Sequence, residues 1–355
     1  MDYPYRQLAS ENLRFLVIGI GAIGTYVGAS LLLSGQPVSF IERGEVAQRI
    51  LRDGMRMQIG DTQHKIQNPT IHTDLETALK AGQYDIAIVA VKSFDTLELA
   101  SIILRASADF SVLSLQNGVE NELLLSTHLG QDRVIAGSLT SAVLRNGPGD
   151  ISLEKLRGVG IAAAHPLAES TAAAFNRAGL NARLYENAQS MKWSKMLTNL
   201  LANASSAILN MTPEEIFSHP DLYALEVRQI REALNVMEAM NLPVTDLPGT
   251  PVRLLAFLLQ SLPVRIRQPI ARRALGRSRG GKMPSFYIDL HAGRPKSEVD
   301  YLNGAVVRFA GQLGLDAPIN KVLNDTLLAL VEGRLNVNDF SRQPEKLLAQ
   351  LNEKQ

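Results

Sequence analysis

The sequence predicts two domains of different fold class: an α/β domain over residues 1–186 and an all-helical domain over residues 187–355. Three observations support this division. A short apolar run near residue 15 leads into a glycine-rich turn and a helical pattern, buried-strand patterns recur as far as residue 185, and long helical patterns follow. A chain of 355 residues is long enough to give each domain its own core.

The glycine-rich turn is the first element of the α/β domain. The apolar run 13–18 leads directly into residues 19–24, which have the pattern G-x-G-x-x-G. Here Gly19 permits the tight turn, Gly21 lets a pyrophosphate approach the backbone, and Gly24 lets the helix pack on its strand. Free N–H groups at a helix start also attract phosphate, so we expect a Rossmann-type dinucleotide-binding domain rather than glycines that only shape a turn. The expected contacts are Gly19, Gly21, Ala22, Ile23 and Gly24.

The second strand pattern, 37–42, bears on the choice of cofactor. It ends in Glu42, where an NAD enzyme holds the ribose hydroxyls. The next residue, Arg43, can bind a 2′-phosphate through two parallel hydrogen bonds. We expect NADPH, with Glu42 turned toward solvent or toward the adenine.

Two later strands end in polar residues. The run 84–92 is continuously apolar, which is typical of a parallel strand buried on both faces, and it ends in Lys92. The buried strand 111–115 is followed by Asn117. Because ligands of open α/β sheets bind at the carboxyl ends of the strands, we expect both side chains near the ligand.

The remaining sequence patterns for helices and strands are weaker in the first domain than in the second. Thr212 starts one helix, with a proline next and Glu215 placed to complete a capping box. The other expected elements are helices over 46–53 and 169–178, a strand pair over 55–71, strands over 134–145, 151–153, 158–163 and 182–185, and helices over 188–210, 213–240, 285–314 and 319–332.

A polar stripe marks the helical pattern 188–210. Lys195, Asn199 and Asn203 recur every four residues, so on one continuous helix they share a face. Burying them without partners would be costly, so they either face water or line a polar cavity. A lysine in such a cavity can donate a proton to a carbonyl oxygen as hydride arrives at the carbon.

A second polar turn surrounds Glu298, with Ser285 and Asp289 before it. The carboxylate of Glu298 can pair with Lys195 or accept a hydrogen bond from a substrate hydroxyl. An acidic turn is also common on plain surfaces, and the residues alone leave both readings open.

Composition excludes several function classes. With 36 basic and 35 acidic residues the chain has no global charge that would attract nucleic acid. It contains no cysteine, which excludes disulfides, thiolate metal sites and a cysteine nucleophile, and its six histidines show no ligand spacing, so we expect no metal. Residues 1–12 do not fit a secretion signal and the apolar run 254–262 is too short to span a membrane, so we expect a cytoplasmic protein without an integral membrane segment.

Residues 243–284 form an unusual insertion in the helical domain. An apolar run, which includes Leu254, Leu255, Phe257, Leu258 and Leu259, is expected to pack on the domain as a helical cover. Four arginines after it, Arg265, Arg267, Arg272 and Arg273, would then form a positive rim. A partner surface, a membrane-surface element and a solvated insertion are the alternatives. The basic residues are Arg265, Arg267, Arg272, Arg273, Arg277, Arg279 and Lys282.

Five stretches, in their order along the chain, together resemble the ketopantoate reductase (2-dehydropantoate 2-reductase) family. They are Gly19-x-Gly21-x-x-Gly24, Val91-Lys92, Gln116-Asn117-Gly118, Trp193-x-Lys195-x-x-x-Asn199-x-x-x-Asn203, and residues 297–304. The resemblance implies a Rossmann domain, a helical domain like that of 6-phosphogluconate dehydrogenase, and an active site in the cleft between them. It also implies NADPH-dependent reduction of a 2-oxo acid to a 2-hydroxy acid, with 2-dehydropantoate, a precursor in pantothenate biosynthesis, as the first candidate. A homodimer is left open.

The resemblance further implies roles for single residues. Lys195 would be the general acid, and Glu298 would hold a substrate hydroxyl, orient the lysine or contact the cofactor. Substrate contacts are expected from Asn117, Asn199, Asn203 and, for the carboxylate, Ser285. Cofactor contacts are expected from Lys92, Asn117 and, for the 2′-phosphate, Arg43.

Two other functions stay open at this point. The same enzyme could act on a larger 2-oxo acid or an opine-type compound, since the insertion and an extra residue near Pro295 lie on the expected substrate side. A dinucleotide-sensing protein could keep the fold without the chemistry. A sensor has no need of Lys195 and Glu298 together, so their presence favours an enzyme.

Overall fold

The structure is a computed structural model that describes residues 13–261 and 282–352. The expectations for the N-terminal residues 1–12 and for the arginine-rich rim fall on residues outside these ranges. The chain forms two compact units. The first contains Met1–Gln116 and Asn121–Ala188, and the second contains Asn117–Glu120 and Gln189–Gln355. That the first domain binds the cofactor and the second the substrate stays a prediction.

The first unit is an α/β fold. Its strands are β1 (Phe15–Ile18), β2 (Val38–Ile41), β3 (Met55–Ile59), β4 (Thr62–Ile66), β5 (Ile71–His72), β6 (Ile86–Val89), β7 (Ser111–Ser114), β8 (Val134–Leu139), β9 (Ala142–Gly147), β10 (Asp150–Lys155), β11 (Val159–Ala162) and β12 (Ala182–Tyr185). Its helices are α1 (Ala22–Leu33), α2 (Gly44–Asp53), α3 (Leu75–Ala81), α4 (Thr96–Arg105), α5 (Asn121–Leu129) and α6 (Ala168–Arg177).

Eight of the strands form one sheet in the order β12-β11-β8-β7-β6-β1-β2-β5. Every neighbouring pair is parallel except β8 with β11. The side chains of β1 alternate between the two faces: Phe15 and Val17 lie in one apolar cluster, and Leu16 and Ile18 lie in another. Burial on both faces explains the continuous apolar runs, as is usual for parallel sheets.

A second sheet, in the order β4-β3-β10-β9, packs against α1. It contains the strand pair predicted over 55–71, which is confirmed as β3 and β4. The single strand predicted over 134–145 is wrong, because Thr140 and Ser141 separate β8 from β9. Their side chains bond to the backbone between β10 and β11: Thr140 Oγ1 donates to Gly158 O, and Ser141 Oγ accepts from Arg157 N and Gly158 N.

The second unit is helical in the part of the chain that the structure describes. Its helices are α7 (Ala188–Leu200), α8 (Asn203–Leu209), α9 (Pro213–Ser218), α10 (Pro220–Ala239), α11 (Val252–Ser261), α12 (Ser285–His291), α13 (Val299–Gln312), α14 (Pro318–Val331), α15 (Val337–Phe340) and α16 (Pro344–Asn352). The capping box at Thr212 is confirmed, with Glu215 N donating to Thr212 Oγ1 and Thr212 N donating to Glu215 Oε2.

Three long helices of the prediction are each divided in the structure. The pattern 213–240 breaks at His219, because Pro220 has no N–H to continue the helix and His219 caps a new one. The pattern 285–314 breaks after α12, where Gly293 has a φ of +67°. The pattern 188–210 breaks between Leu200 and Asn203, where Ala202 has a φ of +51°.

The described part of the insertion contains α11. This helix buries Val252, Ala256 and Leu259, which recur at helical spacing. Leu254 and Phe257 are more than half exposed, so the prediction that the whole apolar run packs on the domain is wrong. Among the helices of residues 13–261 and 282–352, none has the length and hydropathy needed to cross a bilayer.

Candidate active site

The glycine turn after β1 is closely packed at two of its glycines and open at the third. Gly19 has a φ of +95°, and a Cβ there would lie 2.9 Å from Val91 Cγ1. A Cβ on Gly24 would collide with the carbonyl oxygen of Gly19, whereas one on Gly21 would meet no atom within 4 Å. The open position is the one at which a pyrophosphate approaches the backbone, so the turn fits a dinucleotide.

Helix α1 begins at Ala22, with Gly21 as its N-cap. No described side chain caps this end, and the first turn carries no acidic residue. The N–H groups of the first turn, at Ala22 and Ile23 among others, therefore present the positive end of the helix to a phosphate.

Glu42 is tied to the glycine turn. Its Oε2 accepts a hydrogen bond from Ile20 N at 2.8 Å, and its Oε1 accepts one from Arg43 N at 3.0 Å. The expectation that this carboxylate turns toward solvent or the adenine is wrong, because the backbone N–H of the turn holds it. The sequence carried no signal for this contact, which joins residues 22 positions apart.

Arg43 is the N-cap residue of α2 and projects its side chain into solvent. The side chain is 71% exposed, and its Nη1 lies 4.0 Å from Oε1 of Glu98, which is also exposed. Such a surface ion pair is weak, so the guanidinium can exchange it for a phosphate at little cost.

Lys92 follows β6 and is partly exposed. The backbone next to it is held by Gln116, whose Nε2 donates to Val91 O at 3.1 Å and to Thr96 Oγ1 at 2.8 Å. Gln116 is buried and supports the loop that carries Lys92. Sequence reasoning quoted Gln116 in a motif but missed this positioning role, which its place between a buried strand and Asn117 could have suggested.

Lys195 lies on α7 and is partly exposed, while its neighbours Trp193 and Met196 are buried. The indole of Trp193 packs edge to face on Phe309, with ring centroids 5.3 Å apart. The side of α7 that bears Trp193 and Met196 therefore packs into the interior of the protein. As a result, Lys195 and Asn199 share the partly exposed face of α7.

Asn199 and Asn117 form a direct pair within the second unit. Asn199 Nδ2 donates to Asn117 Oδ1 at 3.0 Å. Both amides are partly exposed. The structure thus brings together two residues that sequence reasoning assigned to the substrate.

Asn203 does not continue the stripe, because it opens α8 beyond the break. It is 6% exposed, and its Oδ1 accepts a hydrogen bond from Phe286 N at 3.2 Å. Phe286 follows Ser285, the exposed first residue of α12. The prediction of one stripe over three residues is wrong, and Asn203 instead meets the turn that carries Ser285.

Glu298 is buried at the N-cap position of α13. The neighbouring Ser297 Oγ accepts a hydrogen bond from Val299 N at 3.2 Å. The pairing of Glu298 with Lys195 stays a prediction. Within residues 13–261 and 282–352, no group of three or more histidine or acidic residues could hold a metal ion.

Arg308 of α13 binds two carboxylates of the second unit. It holds Glu120 through two bonds, Nε to Oε1 at 2.9 Å and Nη2 to Oε2 at 2.6 Å, and its Nη1 donates to Asp300 Oδ1 at 2.9 Å. The bonds to Glu120, more than the nearby charge of Asp300, raise the pKa of the Arg308 guanidinium above its usual value. Glu120 belongs to the same four-residue segment as Asn117, so Arg308 anchors the segment that meets Asn199.

Family sequence models match both halves of the chain. The model described as "Ketopantoate reductase PanE/ApbA" matches residues 15–166. Its C-terminal counterpart, "Ketopantoate reductase PanE/ApbA C terminal", matches residues 187–331. The chain belongs to the ketopantoate reductase family.

As a member of this family, the chain is an NADP-dependent oxidoreductase that reduces a 2-oxo acid to a 2-hydroxy acid. Two archaeal relatives named 2-dehydropantoate 2-reductase match nearly their whole length. The Halobacterium salinarum protein is 29% identical, over 88% of this chain and 97% of the relative. The Pyrococcus horikoshii protein is 27% identical, over 88% of this chain and 95% of the relative.

Two solved structures resemble this chain in fold. A PanE/ApbA family ketopantoate reductase from Ralstonia eutropha has a TM-score of 0.75 and 28% identity, and the match covers 90% of this chain and 99% of that one. A D-mandelate dehydrogenase solved with NADH and anilino(oxo)acetate has a TM-score of 0.74. At 20% identity, over 91% of this chain and 99% of that one, it shows likeness of fold alone.

Proposed function

We propose that this ketopantoate reductase family member reduces 2-dehydropantoate to pantoate with NADPH. The observation that supports the substrate side most directly is the amide pair of Asn199 and Asn117 on the partly exposed face that also carries Lys195. Amides and a lysine on one face suit a small substrate with a carboxylate, a carbonyl and a hydroxyl.

Lys195 is the proposed general acid. NADPH supplies the hydride when bound, and Lys195 Nζ donates the proton that the reduced carbonyl oxygen takes up. Its partly exposed position lets it be protonated from solvent after each turnover. Glu298, one residue before α13, is proposed to hold the substrate hydroxyl or to orient the lysine.

Asn199 and Asn117 are proposed to bind the polar groups around the carbonyl. Ser285, exposed at the first residue of α12, is proposed to bind the substrate carboxylate through its hydroxyl. Asn203 is proposed to contact the substrate as well, with its amide held by Phe286 N.

For the cofactor, the open backbone at Gly21 and the uncapped start of α1 are proposed to hold the pyrophosphate. Arg43 is proposed to bind the 2′-phosphate, and Lys92 and Asn117 to line the nicotinamide end. The fixed carboxylate of Glu42 lies on the glycine turn and leaves the guanidinium of Arg43 as the anion-binding group at this strand end.

The direct test is NADPH oxidation with a panel of 2-oxo acids at equal concentration. The panel should include 2-dehydropantoate, 2-oxo-3-methylbutanoate, phenylpyruvate and an opine-forming pair of pyruvate with an amino acid. We expect the highest kcat/KM for 2-dehydropantoate. A higher value for another acid would replace the proposed substrate and keep the reaction type, whereas no turnover of any would reject the proposal.

Two further proposals concern the setting of the enzyme. We propose a cytoplasmic location, where NADPH is supplied, and assembly as a homodimer. Light scattering after size exclusion at micromolar concentration would give twice the 38.7 kDa of the chain for a dimer.

A further inference from the structure

The joint between α7 and α8 contains a backbone conformation that is uncommon for a residue other than glycine. Ala202 lies in this joint with a φ of +51° and is fully buried. Residues other than glycine avoid this left-handed conformation, because Cβ approaches the following carbonyl oxygen. Nothing in the local sequence, Leu200-Leu201-Ala202-Asn203, favours it, since glycine and proline are both missing there. The joint therefore depends on contacts from elsewhere in the fold.

Those contacts come from two buried side chains of α10. Glu226, 1% exposed, accepts hydrogen bonds from Ala202 N at 2.7 Å and from Ser205 Oγ at 2.5 Å. Gln229, 0% exposed, donates from Nε2 to Leu200 O at 3.0 Å. One side chain thus satisfies the start of α8 and the other satisfies the end of α7.

The joint connects the residues proposed for the reaction. Lys195 and Asn199 precede it on α7, and Asn203 directly follows it on α8. Asn203 Oδ1 in turn binds Phe286 N, next to Ser285. Two hydrogen bonds, joined by the peptide bond between Ala202 and Asn203, therefore connect a buried carboxylate with the turn proposed to bind the substrate carboxylate.

We propose that Glu226 is a positioning residue for substrate binding, acting through Ala202 and Asn203 on the turn that carries Ser285. A carboxylate suits this place because the N–H of Ala202 and the hydroxyl of Ser205 both need an acceptor, and bonds to a charged acceptor are short and strong. The inference rests on the proposed function for the role of Ser285, but the arrangement of the joint does not depend on it.

The chain offers a matched control on the same helix. Glu232 is also a buried glutamate of α10, and it also satisfies a helix start, accepting bonds from Ile319 N and Asn320 N at 2.9 Å each. The helix it serves, α14, carries none of the residues proposed for the reaction. Loss of either carboxylate leaves buried donors without an acceptor, so a general loss of stability affects both variants alike.

The experiment compares Glu226→Met, Glu232→Met and Glu226→Gln in the full-length protein. Methionine keeps the volume and removes the acceptor, whereas glutamine keeps an acceptor for Ala202 N. We expect Glu226→Met to raise KM for the oxo acid about tenfold or more, with a smaller change in kcat and none in the Kd of NADPH. Glu226→Gln should return KM to within about threefold of the wild type, and Glu232→Met should change it less than about twofold.

Amide hydrogen exchange gives a readout that needs no substrate. In Glu226→Met, peptides covering 203–209 and 285–291 should exchange faster, while peptides covering 318–331 should not. In Glu232→Met the pattern should be reversed. If the wild type turned over no 2-oxo acid, the proposed function would fail and the exchange data would still decide the positioning role.

Two results would overturn the inference: an unchanged KM together with unchanged exchange in Glu226→Met, or equal effects of Glu226→Met and Glu232→Met. If Glu226→Met does not fold, Ser205→Ala decides, since it removes only the hydroxyl on Glu226 Oε1. Ser205→Ala should raise KM about threefold and speed exchange over 285–291. No change in either quantity would reject the role of Glu226.

Discussion

Asn199 donates a hydrogen bond to Asn117 across 82 residues of chain, and this single contact fixes how two amides of the reductase face each other. An amide with one hydrogen-bonding group in use keeps its remaining groups in a defined direction. Lys195 lies one helical turn before Asn199, on the same partly exposed face. The proposed roles differ, with binding assigned to the two amides and proton donation to Lys195, so changes to these side chains should separate binding from chemistry.

Lys195→Ala should lower kcat by a factor of about 10² to 10⁴, the usual range for a positioned proton donor, with little change in the Kd of NADPH. Asn199→Ala should mainly raise KM for the oxo acid. Lys321→Ala is a suitable control, because this exposed lysine of α14 pairs with Asp325 and has no proposed role in the reaction. Steady-state kinetics and fluorescence titration with NADPH give the three quantities. A near-normal kcat in Lys195→Ala would mean that another group supplies the proton.

Arg43→Ala should raise KM for NADPH about tenfold and leave KM for NADH unchanged, because only NADPH carries the 2′-phosphate that Arg43 is proposed to bind. Arg49→Ala on the same helix is the control, since this exposed arginine pairs with Asp53 instead. Wild-type kcat/KM is expected to favour NADPH. A wild type that prefers NADH would indicate that Glu42, held on the glycine turn, receives the ribose hydroxyls instead.

Secondary-structure elements show where sequence reasoning succeeded and where it failed. β1, the glycine turn and α1 were predictable because alternation onto two buried faces and the glycine spacing are local properties. The break at Pro220 was also visible in the sequence, since proline cannot continue a helix. The joint at Ala202 was not, because its conformation depends on Glu226 and Gln229, which lie 24 or more residues away.

The candidate site divides in the same way. The motifs predicted which residues belong to the candidate site. The hydrogen bond between Asn199 and Asn117 joins residues of two of those motifs. The bond from Phe286 N to Asn203 and the bond from Ile20 N to Glu42 involve backbone groups, which carry no sequence signal.

Helix α13 carries a prediction of its own through Arg308. Replacing Arg308 with methionine removes both bonds to Glu120 and both bonds to Asp300, so the segment bearing Asn117 loses its anchor. We expect kcat/KM for the oxo acid to fall about tenfold and Tm to fall by about 2 °C. Arg334→Met, which breaks an exposed pair with Glu332, should change neither. If both variants behaved alike, the Arg308 bonds would be ordinary surface contacts.

At the scale of the whole molecule, two glutamates give stability opposite dependences on pH. Burial raises the pKa of Glu232 in the folded protein, despite the bonds from Asn320 and Ile319. The bond from the Thr212 backbone, followed by the contact with Arg342, lowers the pKa of Glu215. A raised carboxyl pKa stabilises the fold at low pH and loses this effect as pH rises through the folded value. A lowered one stabilises at higher pH and loses this effect as pH falls through the folded value.

Thermal unfolding from pH 3 to pH 8 tests this pair. The stability of the wild type relative to Glu232→Gln should decline as pH rises above about 4.3, the ordinary glutamate pKa. Relative to Glu215→Gln, it should decline as pH falls below about 4.3. Parallel curves for the two variants would contradict the assignment of opposite shifts.

The segment Asn117–Glu120 has a practical consequence for expressing the two units as separate proteins. These four residues group with the helical unit although the chain before and after them belongs to the other one. An expression clone that starts at residue 189 leaves Arg308 without the carboxylate of Glu120 and Asn199 without the amide of Asn117. An expression clone of the first half contains Asn117 and Glu120 but lacks Asn199 and Arg308, which donate hydrogen bonds to them. The halves are therefore poor candidates for separate production, although co-expression from two plasmids can supply the missing piece in trans.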